Sequence, residues 1–200
     1  DEEKFGEVAK RAHISVRKNP LAGFYAKLGT SGYVEMATEV YGDLPVKYYT
    51  QGRFQNASKI SGNSMLRLLT RNARCYGCPI GCGRKIKIST GKYMLEETEG
   101  PEYETVGTLG SLCMNDDLEA ICYANFLCNK HGLDTISCGI TIAFALFLYE
   151  KGMITRDDVG FELEWGDGDA IIRLVEMIAH RRGFGDTLAE GTKFIGEKYN

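Results

Sequence analysis

The chain has 200 residues, 44% of them apolar and 26% charged, with only 4 prolines, a balance that excludes a disordered tail or linker and requires a buried core. A formal net charge of −3, with Lys and Arg scattered among acids, leaves no basic footprint and excludes nucleic acid as the expected partner. The longest apolar run, ITIAFALFLY at 140–149, is about half the roughly 20 residues that span a bilayer and reads as a buried helix.

In chain order, Phe5, Val8, Ala9, Ala12 and Val16 recur at helical spacing, predicting a helix over 3–17 that Pro20 ends. Asn19-Pro20 opens a second helix, with proline in the first turn, where its missing N–H costs nothing. GTSGYVEMATEVYG predicts a third, capped by Thr30 or Ser31, with Val34, Ala37 and Val40 on its apolar face and Gly42 as its stop. DLPVKYYTQGRFQNAS has no long period and reads as loop, while GNSMLRLLTRN predicts a short helix near 62–72 leading to three cysteines. Beyond them RKIKIST alternates, GK turns and YMLEE follows, the pattern of a small β-hairpin. Asn115 or Asp116 is placed to cap a helix through LEAICYANFLCNKHG that closes at Gly132, and Asp134 to cap its antiparallel partner, which runs to Gly152. FELEW at 161–165 predicts a short strand, and helices at about 168–182 and 186–198 complete a mainly α, multi-helical single domain over 1–200. The missing initiating Met, the lack of a signal-peptide pattern and the stop at GEKYN lead us to expect a piece of a longer protein.

Seven cysteines, an odd number, argue against a fully paired disulfide scaffold and fit a reducing compartment, with the cytoplasm as the expected location. Three of them, Cys75, Cys78 and Cys82, form C-x2-C-x3-C among Gly77, Pro79, Gly81 and Gly83. That spacing describes a loop able to wrap a cluster and turn backbone N–H groups toward sulfur, with three thiolates for three irons of a 4Fe-4S cube and a fourth ligand from elsewhere. Cys113, Cys122, Cys128 and Cys138 lie in helix-like apolar patterns, where free cysteine behaves as a small hydrophobe, with Cys113 the nearest candidate ligand. Zinc is the competing metal, but no second paired-cysteine knuckle occurs, and His131 and His180 have no companion at ligand spacing.

LEETEGPEYETVGTLG at 95–110 concentrates five glutamates before a glycine-rich stretch. Glu102 and Glu104 share a face if that segment is extended and diverge if it is helical. A carboxylate led into an apolar site would serve as general acid or base, whereas a solvated acid would simply favour a helix N-terminus. In NKHGLDTISCG at 129–139, Asp134, Thr135 and Ser137 can satisfy free N–H groups of the following helix, or those groups can meet an anionic ligand.

Taken in order, Cys75-x2-Cys78-x3-Cys82, EGPEYET at 99–105 and HGLDTIS at 131–137 resemble the aldehyde ferredoxin oxidoreductase family of tungsten enzymes, and LGTSGYVEMA and LYEKGMIT extend the likeness over most of the chain. The resemblance implies a tungsten (or molybdenum) bis-pyranopterin beside a 4Fe-4S cluster, and oxidation of an aldehyde to a carboxylic acid with a ferredoxin or electron-transfer subunit as acceptor. It makes this chain the middle helical domain, between an N-terminal pterin-binding β domain and a C-terminal helical domain that holds the fourth cluster cysteine. Carried over by motif, Cys75, Cys78 and Cys82 are cluster ligands, Glu104 is the proton-transfer acid, and Asn129, Gly132, Leu133 and Asp134 belong to the pterin-binding D-x-x-G-L-D turn. Asn129 departs from that pattern by replacing its first Asp. Tyr123 and Phe126 stand where some members carry an E-x-x-H iron site at a dimer interface. The remaining alternatives are a related tungsten subunit that reduces an aromatic thioester or carboxylic acid, an iron-sulfur electron-transfer module with Cys113 as fourth ligand, and a zinc-stapled interaction domain.

Overall fold

In the computed structural model, which describes residues 1–199, the first helix, α1 (Glu2–Lys18), starts where Asp1 accepts hydrogen bonds from the N–H groups of Glu3 and Lys4. Acids in its first turn and Arg17 and Lys18 in its last complement the helix dipole. Asn19 ends it and caps α2 (Pro20–Leu28), accepting the Leu21 N–H at 2.9 Å, with Pro20 in the expected first position.

The third predicted helix is α3 (Tyr33–Met36), entered through a single 3-10 turn and continued as a π-turn over Ala37–Tyr41 that stops at Gly42 in the left-handed region. Val34 and Ala37 are buried as expected, but the wider π-turn moves Val40 into solvent, where it is 69% exposed. Neither Thr30 nor Ser31 caps this segment. The Thr30 hydroxyl instead donates to Glu102 and accepts the Tyr103 N–H at 2.9 Å, joining the segment to a distant helix start.

The helix expected at 62–72 is only α4 (Gly62–Met65), because Leu69–Ala73 is a strand, β1, whose backbone pairs with β2 (Gly83–Ile88). β2 and β3 (Leu95–Glu99) form the predicted hairpin, giving an antiparallel sheet in the order β1-β2-β3. Along β2, Arg84, Ile86 and Ile88 are buried, while Lys85 and Lys87 on the other face pair with Glu99 and Glu96.

Helices follow as α5 (Tyr103–Leu109), α6 (Leu118–His131), α7 (Thr135–Glu150), α8 (Arg156–Val159), α9 (Gly168–Ala179), α10 (Phe184–Leu188) and α11 (Gly191–Tyr199). The α6 cap is Asp117, which accepts from Glu119 and Ala120. Of the two expected caps, Asn115 accepts the Asp117 N–H and Asp116 pairs with Lys59 at 2.6 Å. FELEW forms no strand; its backbone joins no ladder, although Leu163 is buried. The helix expected at 186–198 is two helices, since Gly191 has φ +83 and breaks the path.

Core formation centres on α5, α6, α7 and α9, where Val106, Leu109, Leu118, Ile121, Ile142, Ile171 and Leu174 are at most 1% exposed. α5 meets α7 at Gly139, where a Cβ would come within 2.6 Å of the Thr108 Cβ, so only glycine permits that approach. The protein is thus mainly α with a small antiparallel sheet, and among the described residues no helix is long and apolar enough to cross a membrane.

Candidate cofactor site

The three clustered cysteines occupy the connection between β1 and β2, so the sheet fixes both ends of their loop. Cys75 is exposed, and Cys78 and Cys82 are half-buried. Gly77 and Gly81 take φ +68 and +75, which lets the short loop reverse twice. The nearby backbone N–H groups of Ile80 and Gly81 favour the Cys78 thiolate and hold its thiol below the ordinary cysteine range. Cys82 is pushed up, first by burial and then by the charge of Glu102, and it also feels Cys78 and Cys75. Cys75 and Cys82 line a cavity of about 220 Å³ together with Arg74, Glu99 and Glu102.

Arg84 is a buried cation beside the cysteine loop that no sequence motif marks. Only 3% exposed, it donates to the carbonyls of Tyr25 (2.7 Å) and Ala26 (2.9 Å) and to Asn72 Oδ1 (2.6 Å), tying β2 to the end of α2. Its Nε is buried without a partner. Desolvation lowers its pKa, and the neighbouring Cys82 and Glu102 oppose that shift. Gly29, at φ +70, makes room: a Cβ there would come 2.8 Å from the Arg84 Nε and 3.1 Å from the Cys82 carbonyl. The available signal was register, because Arg84 shares the inward parity of Ile86 and Ile88.

The two glutamates diverge. Glu102 is the N-cap residue of α5 in extended conformation, and Glu104 lies in its first turn. Burial raises the Glu102 pKa against the opposing hydrogen bond from Thr30. Glu102 and Glu99 line both the cysteine-loop cavity and a polar cavity of about 360 Å³ that includes Thr105, Asn125, Asn129 and Thr135. Glu104 instead borders a separate cavity with Tyr25, Thr30, Tyr33 and Tyr103.

The α6–α7 turn is built as the sequence suggests. Gly132 at φ +70 closes α6, the Leu133 N–H reaches the Cys128 carbonyl at 2.8 Å, and the Asp134 carboxylate accepts the Ser137 N–H at 2.7 Å. Hydrogen bonding from the Ser137 side chain, and then from its backbone N–H, holds Asp134 below the ordinary aspartate range. The structure divides the turn between two cavities: Asn129 faces the one with Glu99 and Glu102, while Leu133 and Asp134 line another with Ser137, Cys138 and Leu188. Across the core, the buried Cys113 thiol donates to the Thr108 carbonyl at 3.3 Å and is pushed up by burial, so it is enclosed away from the exposed loop. Tyr123 and Phe126 pack as an aromatic pair, ring centroids 6.2 Å apart.

Among the described residues no three His, Cys, Asp or Glu side chains converge on a single-ion position. A cubane does not ask them to, because each thiolate binds a different iron. The donor set fits an anionic iron-sulfur cluster: three neighbouring thiols on one loop, backbone N–H groups near the Cys78 sulfur, and a buried guanidinium with a free Nε beside Cys82.

A family profile described as aldehyde ferredoxin oxidoreductase, domains 2 and 3, matches residues 7–200. The chain belongs to that family. It is 42% identical over its whole length to the tungsten-containing aldehyde ferredoxin oxidoreductase of Pyrococcus furiosus and 41% identical to that of Thermococcus kodakarensis, covering 33% of each. An aliphatic sulfonate oxidoreductase, WOR-like subunit, of Pyrococcus furiosus is 38% identical over 58% of the chain and 19% of that protein. The fold is shared with the active site complex BamBC of benzoyl coenzyme A reductase in complex with 1,5-dienoyl-CoA, at TM-score 0.67 and 24% identity over 86% of this chain and 26% of that one. This member of the aldehyde ferredoxin oxidoreductase family therefore spans about a third of the length of the relatives that it matches.

Proposed function

We propose that this chain is the middle, mainly helical domain of the catalytic subunit of a tungsten-pterin, iron-sulfur oxidoreductase of the cytoplasm. The reaction is oxidation of a small aldehyde, R-CHO + H2O → R-COO− + 3 H+ + 2 e−, with the electrons passed to a ferredoxin or related carrier. The observation that carries this reading is the adjacency of the cysteine-loop cavity and the polar cavity of the α6–α7 turn, which share Glu99 and Glu102 as walls. Family membership and the tungsten named in the relatives support it.

Cys75, Cys78 and Cys82 hold three irons of the 4Fe-4S cluster, and the fourth ligand comes from another part of the longer protein. Arg84 offsets the negative charge beside Cys82, and the N–H groups of Ile80 and Gly81 do the same at Cys78. Asn129 offers a pterin an amide in place of a carboxylate, next to Thr135 and Asn125. Gly132, Leu133 and Asp134 fix the turn that carries those contacts. Glu104, at its separate cavity, takes the proton released as water adds to the carbonyl. The bound cofactors supply two-electron redox chemistry and one-electron exit, which no side chain here provides. Enclosure of Cys113 weighs against an electron-transfer module with its fourth ligand inside the chain.

Metal analysis of the full-length protein prepared without oxygen tests the reading. Tungsten with about four irons supports it; iron alone would indicate the electron-transfer module, and zinc alone the stapled domain. Glu104→Gln should keep both metals while kcat falls by about 10²–10⁴. Unchanged kcat with metals in place removes Glu104 from proton transfer.

A further inference from the structure

We propose that the cavity at Glu104 is a side-chain pocket for a flat aromatic ring, so that the enzyme prefers aryl aldehydes to short aliphatic ones. The proposal rests on the reading of Glu104 as the proton-transfer group. Among the described residues, three of the five around this cavity are tyrosines, Tyr25, Tyr33 and Tyr103, and Glu104 is its only carboxylate. Its volume, about 280 Å³, lies just below the usual range of organic-ligand pockets and suits one ring with a short substituent.

Ring geometry decides which guest gains most. Tyr33 and Tyr103 have centroids 5.1 Å apart and planes at 79°, so they form a corner of the cavity. A third flat ring placed there takes a face contact with one phenol and an edge contact with the other, whereas an alkyl chain gains only buried area. The corner is set before any ligand arrives. The Tyr33 hydroxyl donates to Asp43 at 3.0 Å, its ring stacks on Tyr41 with centroids 5.8 Å apart, and the Tyr103 N–H is held by Thr30 at 2.9 Å. Rigid aromatic walls lose little entropy on binding. Burial raises the Tyr103 phenol to about 12, so that wall stays uncharged at neutral pH. Glu104 borders the same cavity, where it can accept a proton from the water that adds to the carbonyl of an aldehyde whose ring fills the tyrosine corner.

Two measurements on the metal-loaded, full-length protein test this. The ratio of kcat/KM for benzaldehyde over propionaldehyde should exceed roughly tenfold, fall by about tenfold in Tyr33→Leu, and recover in Tyr33→Phe, which keeps the ring. Calorimetric titration with the unreactive probes benzamide and propionamide should give tighter binding of benzamide, weakened about tenfold in Tyr33→Leu, with propionamide little changed. Tyr25→Leu serves in place of Tyr33→Leu if the latter fails to fold. Aldehyde oxidation without an aryl preference, or a preference that ignores these substitutions, overturns the pocket assignment. If neither aldehyde is oxidised, the catalytic reading falls and the amides decide the pocket: selective benzamide binding lost with the ring supports it, and equal binding of both amides overturns it.

Discussion

Arg84 is the residue through which sheet, helix and cysteine loop are joined. Its guanidinium spends three hydrogen bonds on α2 and Asn72 while its Nε stays free beside Cys82. Arg84→Leu would keep roughly the volume but lose all three hydrogen bonds, leaving the Tyr25 carbonyl with only the Gly29 N–H at 2.9 Å and the Ala26 carbonyl with only the Asn72 amide at 2.7 Å. We expect a loss of about 3 kcal/mol, seen as a fall in melting temperature of about 6–12 °C. Arg84→Lys should not restore it, because an ammonium cannot reproduce the planar fork. In the loaded protein the same change should make the cluster harder to reduce, since a cation beside Cys82 is gone; an unaltered midpoint potential would separate Arg84 from the cluster. The sequence made the cysteines legible because their spacing is itself chemical. It hid Arg84, since a lone arginine in RKIKI reads as surface and only its register with Ile86 and Ile88 says otherwise. His131 and His180 were hidden in another way: sequence spacing gives them no companion, yet α6 and α9 bring their rings edge to face at 4.9 Å.

At the scale of elements, local chemistry was readable and long-range pairing was not. Pro20, Gly132 and Asp134 set helix ends by single-residue effects, and each stands where the sequence places it. The β1 segment reads as helix in the sequence because Met65, Leu66, Leu68 and Leu69 satisfy a helical spacing, and the partner that makes Leu69–Ala73 a strand lies in β2, beyond the cysteine loop. Asp134 offers a test of whether the α6–α7 turn, proposed to carry cofactor contacts, also has a structural role. Asp134→Ala in the cofactor-free protein should lose about 1 kcal/mol with the cap, measured by urea unfolding at pH 7. Its folded pKa lies below its unfolded value, so its carboxylate contributes fully above the ordinary aspartate value of about 4 and loses that contribution as pH falls through the lowered folded value. The gap between wild type and variant should therefore narrow below about pH 4. A cap-free role at the cofactor alone would leave cofactor-free stability unchanged at every pH.

Over the whole molecule, order and exposure are distributed unevenly. The α5, α6, α7 and α9 core is dense, whereas the cysteine loop lies on the surface, with Tyr76 fully exposed at its tip. α1 is the extreme case: it has 17 residues, none buried, and it holds Phe5 at 75% and Val8 at 54% exposure. Its capping and end charges make it helical, but a lone helix of this length is marginal in water without tertiary burial. Amide hydrogen exchange on this 200-residue chain should thus find α1 opening at a cost below about 1 kcal/mol, while amides of α6 and α7 approach the cost of global unfolding. Equal protection in α1 and α6 would mean that α1 is held by contacts other than those described. The core would then no longer be the sole source of stability, and the separation drawn between a rigid scaffold and a surface-borne cysteine loop would have to extend to α1.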